Sequence, residues 1–379
     1  MYINFWYPVA RSEDVTADAP FRTEIMGLRF VAWRDKEGKP QVLSDTCVHR
    51  GGSLGKGKIE NGNVQCPYHG WQFSGDGVCR LIPSIGADGK PPARAKVDAY
   101  PAEERYGIVF AFLGDLDESE RPPLYEIEEW GQEGWRANEL IVFDVDYHFE
   151  RSIENGLDPA HNEFVHPTHG FSGENPDYRV RDFDVEDRPL GCWFQLVMDS
   201  SGYKDDTMSR IRKEAGQSVA GTGTYGPNMM YTLLHLTETT WFHQYVWEAP
   251  VSDTKTRIFF INMRNCMLDP ALDAKISERN MEVAHQDIAV LTEVDPVRTP
   301  RSNAKEVLMP ADKPILRYRE LLKGWENKGW KIDFAELNRR KGGEAFAIPS
   351  PERRTSGNWV LETVPFAQPS PMTEREAAE

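Results

Sequence analysis

The chain has 379 residues and a formal net charge of −16, with 44 Lys and Arg against 60 Asp and Glu. This excess of negative charge argues against nucleic acid as a partner, because nucleic acid attracts basic surfaces. The length suits about two domains, and no apolar stretch approaches the roughly 20 residues of a membrane-spanning helix. The first residues, Met1–Trp6, lack the charged and apolar segments of a signal peptide. We therefore expect no membrane association.

The N-terminal part of the sequence is predicted to be rich in β-strands. Met26–Asp35 and Arg105–Asp115 are apolar or alternate in the manner of strands. Turn signals lie at Glu37–Pro40 and Ser74–Gly77, where glycine, proline and aspartate cluster. A β-rich domain is therefore expected before residue 115.

Two mixed cysteine and histidine motifs lie within this region: Cys47-Val48-His49 and, after a gap of sixteen residues, Cys66-Pro67-Tyr68-His69. Two thiolates and two imidazoles are the ligands of a Rieske-type [2Fe–2S] cluster, in which the cysteines bind one iron and the histidines the other. Flanking glycines let the backbone approach such a cluster and donate N–H groups to sulfur. A structural zinc site is the alternative, but zinc motifs usually pair cysteine with cysteine and histidine with histidine.

The remaining cysteines are Cys79, Cys192 and Cys266. They are odd in number and lack the spacing of a disulfide framework. Reduced thiols, and hence a cytoplasmic location, are therefore expected.

The region after residue 115 is predicted to contain strands first and long helices afterwards. The acidic segment Asp115–Glu129 contains Pro122-Pro123 and marks a candidate domain boundary. The predicted strands are Glu139–Phe149, Gly191–Ser200, Met229–Leu236, Trp241–Glu248 and Arg257–Met263. Helical patterns follow at 271–294 and near 314–341. This order predicts an α+β fold with helices packed on an antiparallel sheet.

A second candidate metal motif is Asp158-Pro159-Ala160-His161 followed by His166. The two histidines are five residues apart, about 140° around a regular helix, so a straight helix would not direct both at one metal. Pro167 disfavours helical geometry at His166, so the helix is expected to end or distort there. Asp158 is compatible with a metal-related role and equally with a helix N-cap that has proline at the first helical position.

Asp287 is the best candidate for a third ligand. It lies in an amphipathic helical pattern, within an apolar stripe of Ile276, Val283, Val290 and Val294. A carboxylate on an apolar face is costly unless it is paired or binds a metal. Two histidines and one carboxylate on Fe(II) leave open positions for O2. The alternative is an arginine partner for Asp287.

The sequence also contains Gly221-Thr222-Gly223-Thr224-Tyr225-Gly226, which matches the dinucleotide-binding pattern G-x-G-x-x-G. That function requires a strand before the motif and a helix after it. Polar residues precede the motif and Pro227 follows it, so we predict a flexible loop. The longer segment Tyr203–Asn228 is compatible with a lid over a substrate channel or with an ordinary surface loop.

The sequence resembles the catalytic α subunits of the Rieske non-heme iron oxygenases, the ring-hydroxylating and demethylating family. The resemblance covers most of the chain, from about residue 4 to about residue 335. The matching residues, in chain order, are Cys47-Val48-His49-Arg50, Cys66-Pro67-Tyr68-His69-Gly70-Trp71, Asn155, Asp158, His161, His166 and Asp287.

This resemblance implies a Rieske [2Fe–2S] domain at residues 1–115 and a helix-grip catalytic domain with mononuclear iron at 116–348. A polar, proline-rich and loosely ordered tail is expected at 349–379. The implied cluster ligands are Cys47, His49, Cys66 and His69, and the implied Fe(II) ligands are His161, His166 and Asp287. Asp158 and Asn155 are the expected catalytic residues.

The resemblance further implies a ring-shaped homotrimer in which Asp158 bridges neighbouring subunits, touching His69 of one and His161 of the next. O2 is the co-substrate, and electrons come from NAD(P)H through a separate reductase or ferredoxin. The implied reaction is hydroxylation, or O- or N-demethylation, of a small aromatic or cyclic organic substrate. Length and motif resemble members without a β subunit.

Other functions remain open at this point. A cis-dihydroxylating dioxygenase would use the same ligands. A pure electron-transfer Rieske protein would leave the second metal motif without a role, and a zinc-stabilised binding module would be colourless. Four aromatic residues on one predicted strand are candidates for a substrate pocket, although core packing is the more common role for such residues: Trp241, Phe242, Tyr245 and Trp247.

Overall fold

The computed structural model describes residues 1–169, 171, 173–200 and 216–369. The chain folds into two compact units. The first comprises Met1–Leu124 and the described chain from Lys323 onward, and the second comprises Tyr125–Leu322. These units differ from the predicted boundaries at 115 and 348, because the segment after residue 322 belongs to the first unit.

The N-terminal part of the first unit consists of short antiparallel sheets. Its strands are β1 (Phe5–Arg11), β2 (Phe21–Ile25), β3 (Leu28–Arg34), β4 (Pro40–Ser44), β5 (Lys58–Glu60), β6 (Asn63–Gln65), β7 (Gln72–Phe73), β8 (Cys79–Leu81), β9 (Ala99–Tyr100), β10 (Ala102–Arg105) and β11 (Ile108–Leu113). They form sheets in the orders β1-β11-β10, β2-β3-β4-β9 and β5-β6-β7-β8. The first cysteine motif follows β4, and the second connects β6 to β7.

The predicted strand Arg105–Asp115 begins inside a hairpin. Arg105 is the last residue of β10 and pairs with Ile108, the first residue of β11. Tyr106 and Gly107 between them have φ of 58° and 75°. Two successive residues with positive φ form the tight turn that suits an antiparallel hairpin.

The second unit contains one eight-stranded antiparallel sheet within its described residues. Its strands are β12 (Arg136–Ala137), β13 (Ile141–Val145), β14 (Val185–Arg188), β15 (Gly191–Ser200), β16 (Gly216–Thr224), β17 (Met229–His235), β18 (Trp241–Pro250) and β19 (Thr256–Arg264). The order is β12-β19-β18-β17-β16-β15-β14, and β13 also pairs with β19. Most strands that follow one another in sequence are neighbours in this sheet. The strands predicted from alternation lie close to the observed strands.

Helices pack on this sheet, which confirms the predicted α+β class. The helices of this part of the chain are α1 (Phe149–Leu157), α2 (Asn162–Val165), α3 (Asp273–Leu291) and the first residues of α4 (Lys313–Asn327). Helix α1 contacts β16, β17 and β18, and both α1 and α2 contact α3. Within the described parts of the chain, no helix combines the length and apolar character that crossing a bilayer requires.

The helix predicted near 314–341 is divided in two. Gly329, with φ of 76°, follows the end of α4, and its N–H donates to the carbonyl of Glu326. Glycine in this conformation is a frequent helix terminator, because it carries no Cβ penalty there. The remaining elements are α5 (Phe334–Arg340), β20 (Phe346–Ala347), α6 (Glu352–Thr355) and β21 (Glu362–Thr363).

Residues Gly221–Thr224 of the G-x-G-x-x-G segment belong to strand β16, and Tyr225 and Gly226 follow its end, so the prediction of a flexible loop is wrong for most of the segment. A Cβ on Gly221 would lie 2.2 Å from the Trp193 ring, and one on Gly223 would lie 2.6 Å from the Tyr231 ring. Those two rings, on the neighbouring strands, stack with centroids 5.5 Å apart. The glycines therefore make room for aromatic side chains. Residues 203–215 of the candidate lid lie outside the described residues.

The expected loosely ordered tail is instead well packed over residues 349–369. Strand β21 pairs in parallel with β20, and Leu361 and Val364 are buried. The carboxylate of Asp98 is fully buried and accepts two hydrogen bonds from the Arg353 guanidinium, at 2.6 and 2.8 Å. Ser350 donates its N–H and its hydroxyl to the same carboxylate. A buried ion pair thus ties this segment to the first unit.

We expect Arg353→Ala to lower the free energy of unfolding by about 3–5 kcal/mol, because it leaves the buried Asp98 carboxylate without its cation. Chemical denaturation followed by circular dichroism measures this loss. Arg354→Ala is the matched control. Its partners, Asp115 and Glu120, are partly exposed, so a loss of only about 0–1 kcal/mol is expected. Equal losses in both variants would contradict a special role for the buried pair.

Candidate metal centres

The first candidate centre lies between two loops with the same backbone geometry. In the loop after β4, the N–H of Cys47 donates to Gly52 and its carbonyl accepts from Gly51. In the loop between β6 and β7, Cys66 makes the equivalent bonds with Trp71 and Gly70. Gly51 and Gly70 have φ of 70° and 73°, values that favour glycine. Each loop therefore holds its cysteine in the same way, whereas the histidine follows after one residue in the first loop and after two in the second.

The four predicted ligands meet in an asymmetric arrangement. Cys47 and Cys66 are each 2% exposed within an apolar core that includes Trp33 and Phe73. His49 and His69 are exposed, and their ring centroids lie 4.4 Å apart. The thiols are therefore on the inside of the unit and the imidazoles on the outside.

Local contacts affect the protonation of the ligands. The hydrogen bond between the two thiols lowers the pKa of Cys66, which favours a thiolate there, and, together with burial, raises the pKa of Cys47. Some loss of hydration, together with the charges of His49 and Arg50, lowers the pKa of His69, which favours a neutral imidazole. Trp71 stacks on the His49 ring at 4.6 Å with an interplanar angle of 4°.

The space beside the cysteines suits a bulky inorganic group. A Cβ on Gly52 would lie 2.9 Å from the Cys66 sulfur, closer than real Cβ contacts. Glycine at position 52 thus avoids a clash with this sulfur. Two buried thiols with two exposed imidazoles match the ligand set of a Rieske [2Fe–2S] cluster better than a zinc site built from like pairs.

The second candidate centre is built where α1 and α2 meet α3. Helix α1 ends at Leu157, and α2 is a single short turn that ends at Val165. His166 has φ of −114° and ψ of 71°, outside the helical region, as the following Pro167 predicts. This break turns the His166 ring back towards His161.

Three ligand atoms converge at this point. The Nε2 atoms of His161 and His166 are 3.1 Å apart, and Asp287 Oδ1 lies 3.2 Å from the latter and 3.6 Å from the former. Ligands about 2.1 Å from one ion at right angles would be about 3 Å apart, so the three donors fit a facial metal site. Among the described residues, this is the one cluster of such groups compact enough to hold an ion.

Hydrogen bonds behind the ligands fix their orientation. Nδ1 of His161 lies 2.6 Å from the Asp158 carbonyl, and Nδ1 of His166 lies 3.0 Å from the Gln286 side-chain oxygen. Each Nδ1–H donates to its oxygen, so each Nε2 presents a lone pair to the metal position. Burial tends to lower the pKa of His166, but Asp287 raises it above its usual value. Asn155 donates to Asp287 Oδ1 at 3.0 Å.

Asp158 lies at the C-terminal end of α1 rather than at the start of a helix. Its Oδ1 accepts the N–H of Ala160 at 2.6 Å, and its Oδ2 is 3.9 Å from His161 Nδ1. Within one chain, Asp158 therefore contacts His161 through its backbone carbonyl. Burial raises the pKa of its carboxyl group.

The apolar face of α3 differs in part from the predicted stripe. Val290 is 47% exposed, whereas Ile276, Asn280 and Leu291 are buried. Asp287 lies on that buried face. Gln286 was not predicted as a functional residue, because nothing in the sequence separates it from other polar residues of the helix.

A cavity of about 230 Å³ opens beside the three ligands. Most of its wall is apolar, with contributions from Phe143, Phe194, Leu196, Leu234, Ile258 and Phe260. Trp241, Tyr245 and Trp247 do not line it, because they alternate with the cavity-facing Gln244 and Val246 on β18. Core packing therefore describes these aromatic residues better than a role in lining the substrate pocket.

Two protein families match this chain. The Rieske [2Fe-2S] domain family matches residues 5–101, and the vanillate O-demethylase oxygenase C-terminal domain family matches residues 145–328. The chain belongs to the Rieske oxygenases. This Rieske oxygenase thus carries both family domains in one chain, in the order that the two metal motifs predicted.

Two curated relatives illustrate the sequence similarity. The chain is 39% identical over 180 residues to phenoxybenzoate dioxygenase subunit alpha of Ectopseudomonas oleovorans, covering 45% of this chain and 43% of the relative. It is 38% identical over 164 residues to a chlorophyllide a oxygenase of Chlamydomonas reinhardtii, covering 43% of this chain and 24% of the relative. The similarity thus spans less than half the length of either relative.

Solved structures share the fold of this Rieske oxygenase. NdmA of Pseudomonas putida CBB5, solved with caffeine, superimposes with a TM-score of 0.70 at 23% identity, covering 86% of this chain and 91% of that chain. Dicamba monooxygenase bound to dicamba superimposes with a TM-score of 0.70 at 21% identity, covering 86% and 98%. At this level of identity, the comparison concerns the fold.

We expect Gln286→Leu to weaken iron binding at the second centre by about 10- to 100-fold, because His166 loses the acceptor that orients its ring. Iron analysis after graded chelation measures this change, and the visible absorbance of the cluster should persist. Glu282→Gln is the control, since Glu282 is exposed on the same helix and should leave iron affinity unchanged. Unchanged affinity in Gln286→Leu would contradict the orienting role.

Proposed function

We propose that the chain is the terminal oxygenase component of a multicomponent system that hydroxylates, or O- or N-demethylates, a small organic substrate. The observation that carries this proposal is the convergence of buried His166 with half-buried His161 and Asp287 at the wall of a largely apolar cavity. When bound, the mononuclear iron supplies O2 activation and the cluster supplies single electrons. The protein contributes ligands, orientation and a site shielded from water.

The cavity supports a small substrate with an aromatic or cyclic body. Phenyl and branched aliphatic side chains form most of the wall, and they favour flat or compact apolar groups. Among the described residues, the sheet contributes only four polar lining residues: Ser218, Thr222, Thr232 and Gln244. Such sparse polar groups orient a ligand without supplying most of its binding energy.

The exposed cluster histidines support electron entry from outside the chain. His49 and His69 are accessible to another protein or subunit. We propose that His69 of one subunit of a homotrimer meets Asp158 of the next, and that Asp158 in turn contacts His161. A separate reductase or ferredoxin would carry electrons from NAD(P)H, since the G-x-G-x-x-G motif begins inside strand β16 and is followed by strand β17 rather than by a helix.

A cis-dihydroxylating dioxygenase is the second candidate. It is favoured by the similarity to phenoxybenzoate dioxygenase subunit alpha, and its products would carry two oxygen atoms from O2. A pure electron carrier is disfavoured, because it would leave three converging ligand groups without a role. Product analysis with labelled O2 separates hydroxylation, demethylation and dihydroxylation.

The proposal is tested by spectroscopy together with turnover. We expect the reduced protein to give the EPR signal of a Rieske cluster and to contain iron beyond that of the cluster. Cys66→Ala should abolish the signal, whereas Cys79→Ala, which removes a buried thiol outside the two loops, should retain it. O2 uptake in a substrate screen with a surrogate reductase then identifies the substrate. A protein that contains only zinc would refute the proposal.

Asp158→Asn separates electron transfer from local structure. Asparagine can still accept the Ala160 N–H, so the turn after α1 should persist. It lacks the negative charge that would hold two imidazole N–H groups across a subunit boundary. We therefore expect normal cluster and mononuclear iron contents but an almost complete loss of turnover.

The decisive measurement for Asp158→Asn is the oxidation of the reduced cluster by O2 in a single turnover with substrate bound. Wild-type oxidation rates in this variant would show that Asp158 has only a local structural role.

A further inference from the structure

Glu248 is a carboxyl group to which the proposed function assigns no role. It lies on β18, is fully buried, and neither of its side-chain oxygens has a hydrogen-bond partner. An isolated carboxylate is very costly in such a place. Burial raises the pKa of Glu248 to about 8, so the group is a neutral acid at pH 7.

Glu248 lies directly behind the wall of the cavity. Side chains alternate along a strand, so Glu248 shares the face of β18 on which Gln244 and Val246 line the cavity. Ile258, its partner on β19, also lines the cavity. Helix α1 packs over this part of the sheet. The carboxyl group is therefore enclosed between sheet and helix at the edge of the proposed reaction site.

Ser152 of α1 connects this acid to the cavity. Its hydroxyl lies near the Glu248 carboxyl group, although outside hydrogen-bond geometry, and lowers the pKa of Glu248 and that of Tyr147, while burial raises both more strongly. Ser152 and Tyr147 both line the cavity, as does Asp287. Glu248 and Asp287 also contribute to raising the pKa of Tyr147, which places the phenol near both carboxyl groups. A serine hydroxyl can accept one proton and donate another, as a relay requires.

We propose that Glu248 is an internal proton donor for oxygenation and delivers its proton through the Ser152 hydroxyl to the cavity beside Asp287. This proposal rests on the proposed function. Hydroxylation combines a substrate C–H bond, O2, two electrons and two protons to give a C–OH bond and water. The electrons come from the reductase or ferredoxin, and Glu248 supplies one proton, which it recovers from solvent before the next turnover.

The first test is Glu248→Gln in the complete protein with its reductase. Glutamine keeps the size and the neutral state but holds no acidic proton. We expect product formation to fall about 10- to 100-fold, within the range of general acid catalysis, with unchanged cluster and mononuclear iron contents. Wild-type turnover should decline as the pH rises through about 8, since the reaction requires protonated Glu248. This decline should be absent from the residual activity of the variant.

Glu129→Gln is the matched control. Glu129 is also buried, but it bonds to His243 and Tyr245, which alternate with the cavity-facing residues of β18. Glutamine can keep both bonds through its oxygen, so the wild-type rate and pH profile are expected. Wild-type rate and pH profile in Glu248→Gln would overturn the proton-donor role while leaving the proposed function intact. Failure of the wild-type protein to oxygenate any substrate would overturn both proposals.

A second test reads the protonation state without turnover. Infrared difference spectroscopy should show a protonated carboxyl band in the wild type at pH 7 that is absent from Glu248→Gln and disappears near pH 8 in the wild type. Because the unfolded state ionises at lower pH, wild-type stability should fall between about pH 4.5 and 8. The melting-temperature advantage of Glu248→Gln should therefore widen from pH 5 to pH 8. An ionised Glu248 at pH 6 would overturn the proposal.

Ser152→Ala tests the relay with Glu248 in place. It removes only a hydroxyl, so a folded protein with the infrared band of protonated Glu248 is expected. Turnover should fall as in Glu248→Gln, and the solvent isotope effect should change from the wild-type value. A wild-type rate in Ser152→Ala would overturn transfer through this hydroxyl.

Discussion

The convergence of His161, His166 and Asp287 within 3.6 Å is the constraint on which the second unit depends. Three polar groups held this closely inside an apolar region are costly without a cation to share. The chain brings the three groups together with two short helices, α1 and α2, a helix break at His166, and the long helix α3. The sheet supplies a rigid apolar surface beneath them. Cavity, ligand orientation and the position of α1 follow from keeping these three side chains together.

The cluster loops solve a different problem. Their cysteines lie within an apolar core and their histidines at the surface. An electron carrier benefits from this asymmetry, because one edge is shielded from water while the other can approach a donor or acceptor. Glycines at the loop turns make the arrangement possible, since they adopt positive φ and leave space beside sulfur. The proposed exchange of electrons between subunits uses the same exposed edge.

A largely apolar cavity creates a need that metal ligands do not meet. O2 chemistry consumes protons, yet most of the wall here is apolar. A neutral carboxyl group behind Ser152 supplies a proton source without placing a charge beside the substrate. The same reasoning explains why Glu248 can persist without a hydrogen-bond partner, because a protonated acid is far cheaper to bury than a carboxylate. Function and stability therefore oppose each other at this residue.

The sequence alone determined the α+β class, the family and the candidate ligands, because these depend on short spacings and on alternation along the chain. It also indicated the helix break at His166, since Pro167 acts on its immediate neighbour. Tertiary structure decided what depends on distant residues. Gln286 contacts His166 from another helix, and Arg353 pairs with Asp98, which is distant in sequence. The ring of Trp193 packs against Gly221 from the neighbouring strand. Likewise, only the tertiary structure shows that Glu248 is buried without a hydrogen-bond partner, because no local sequence pattern encodes this.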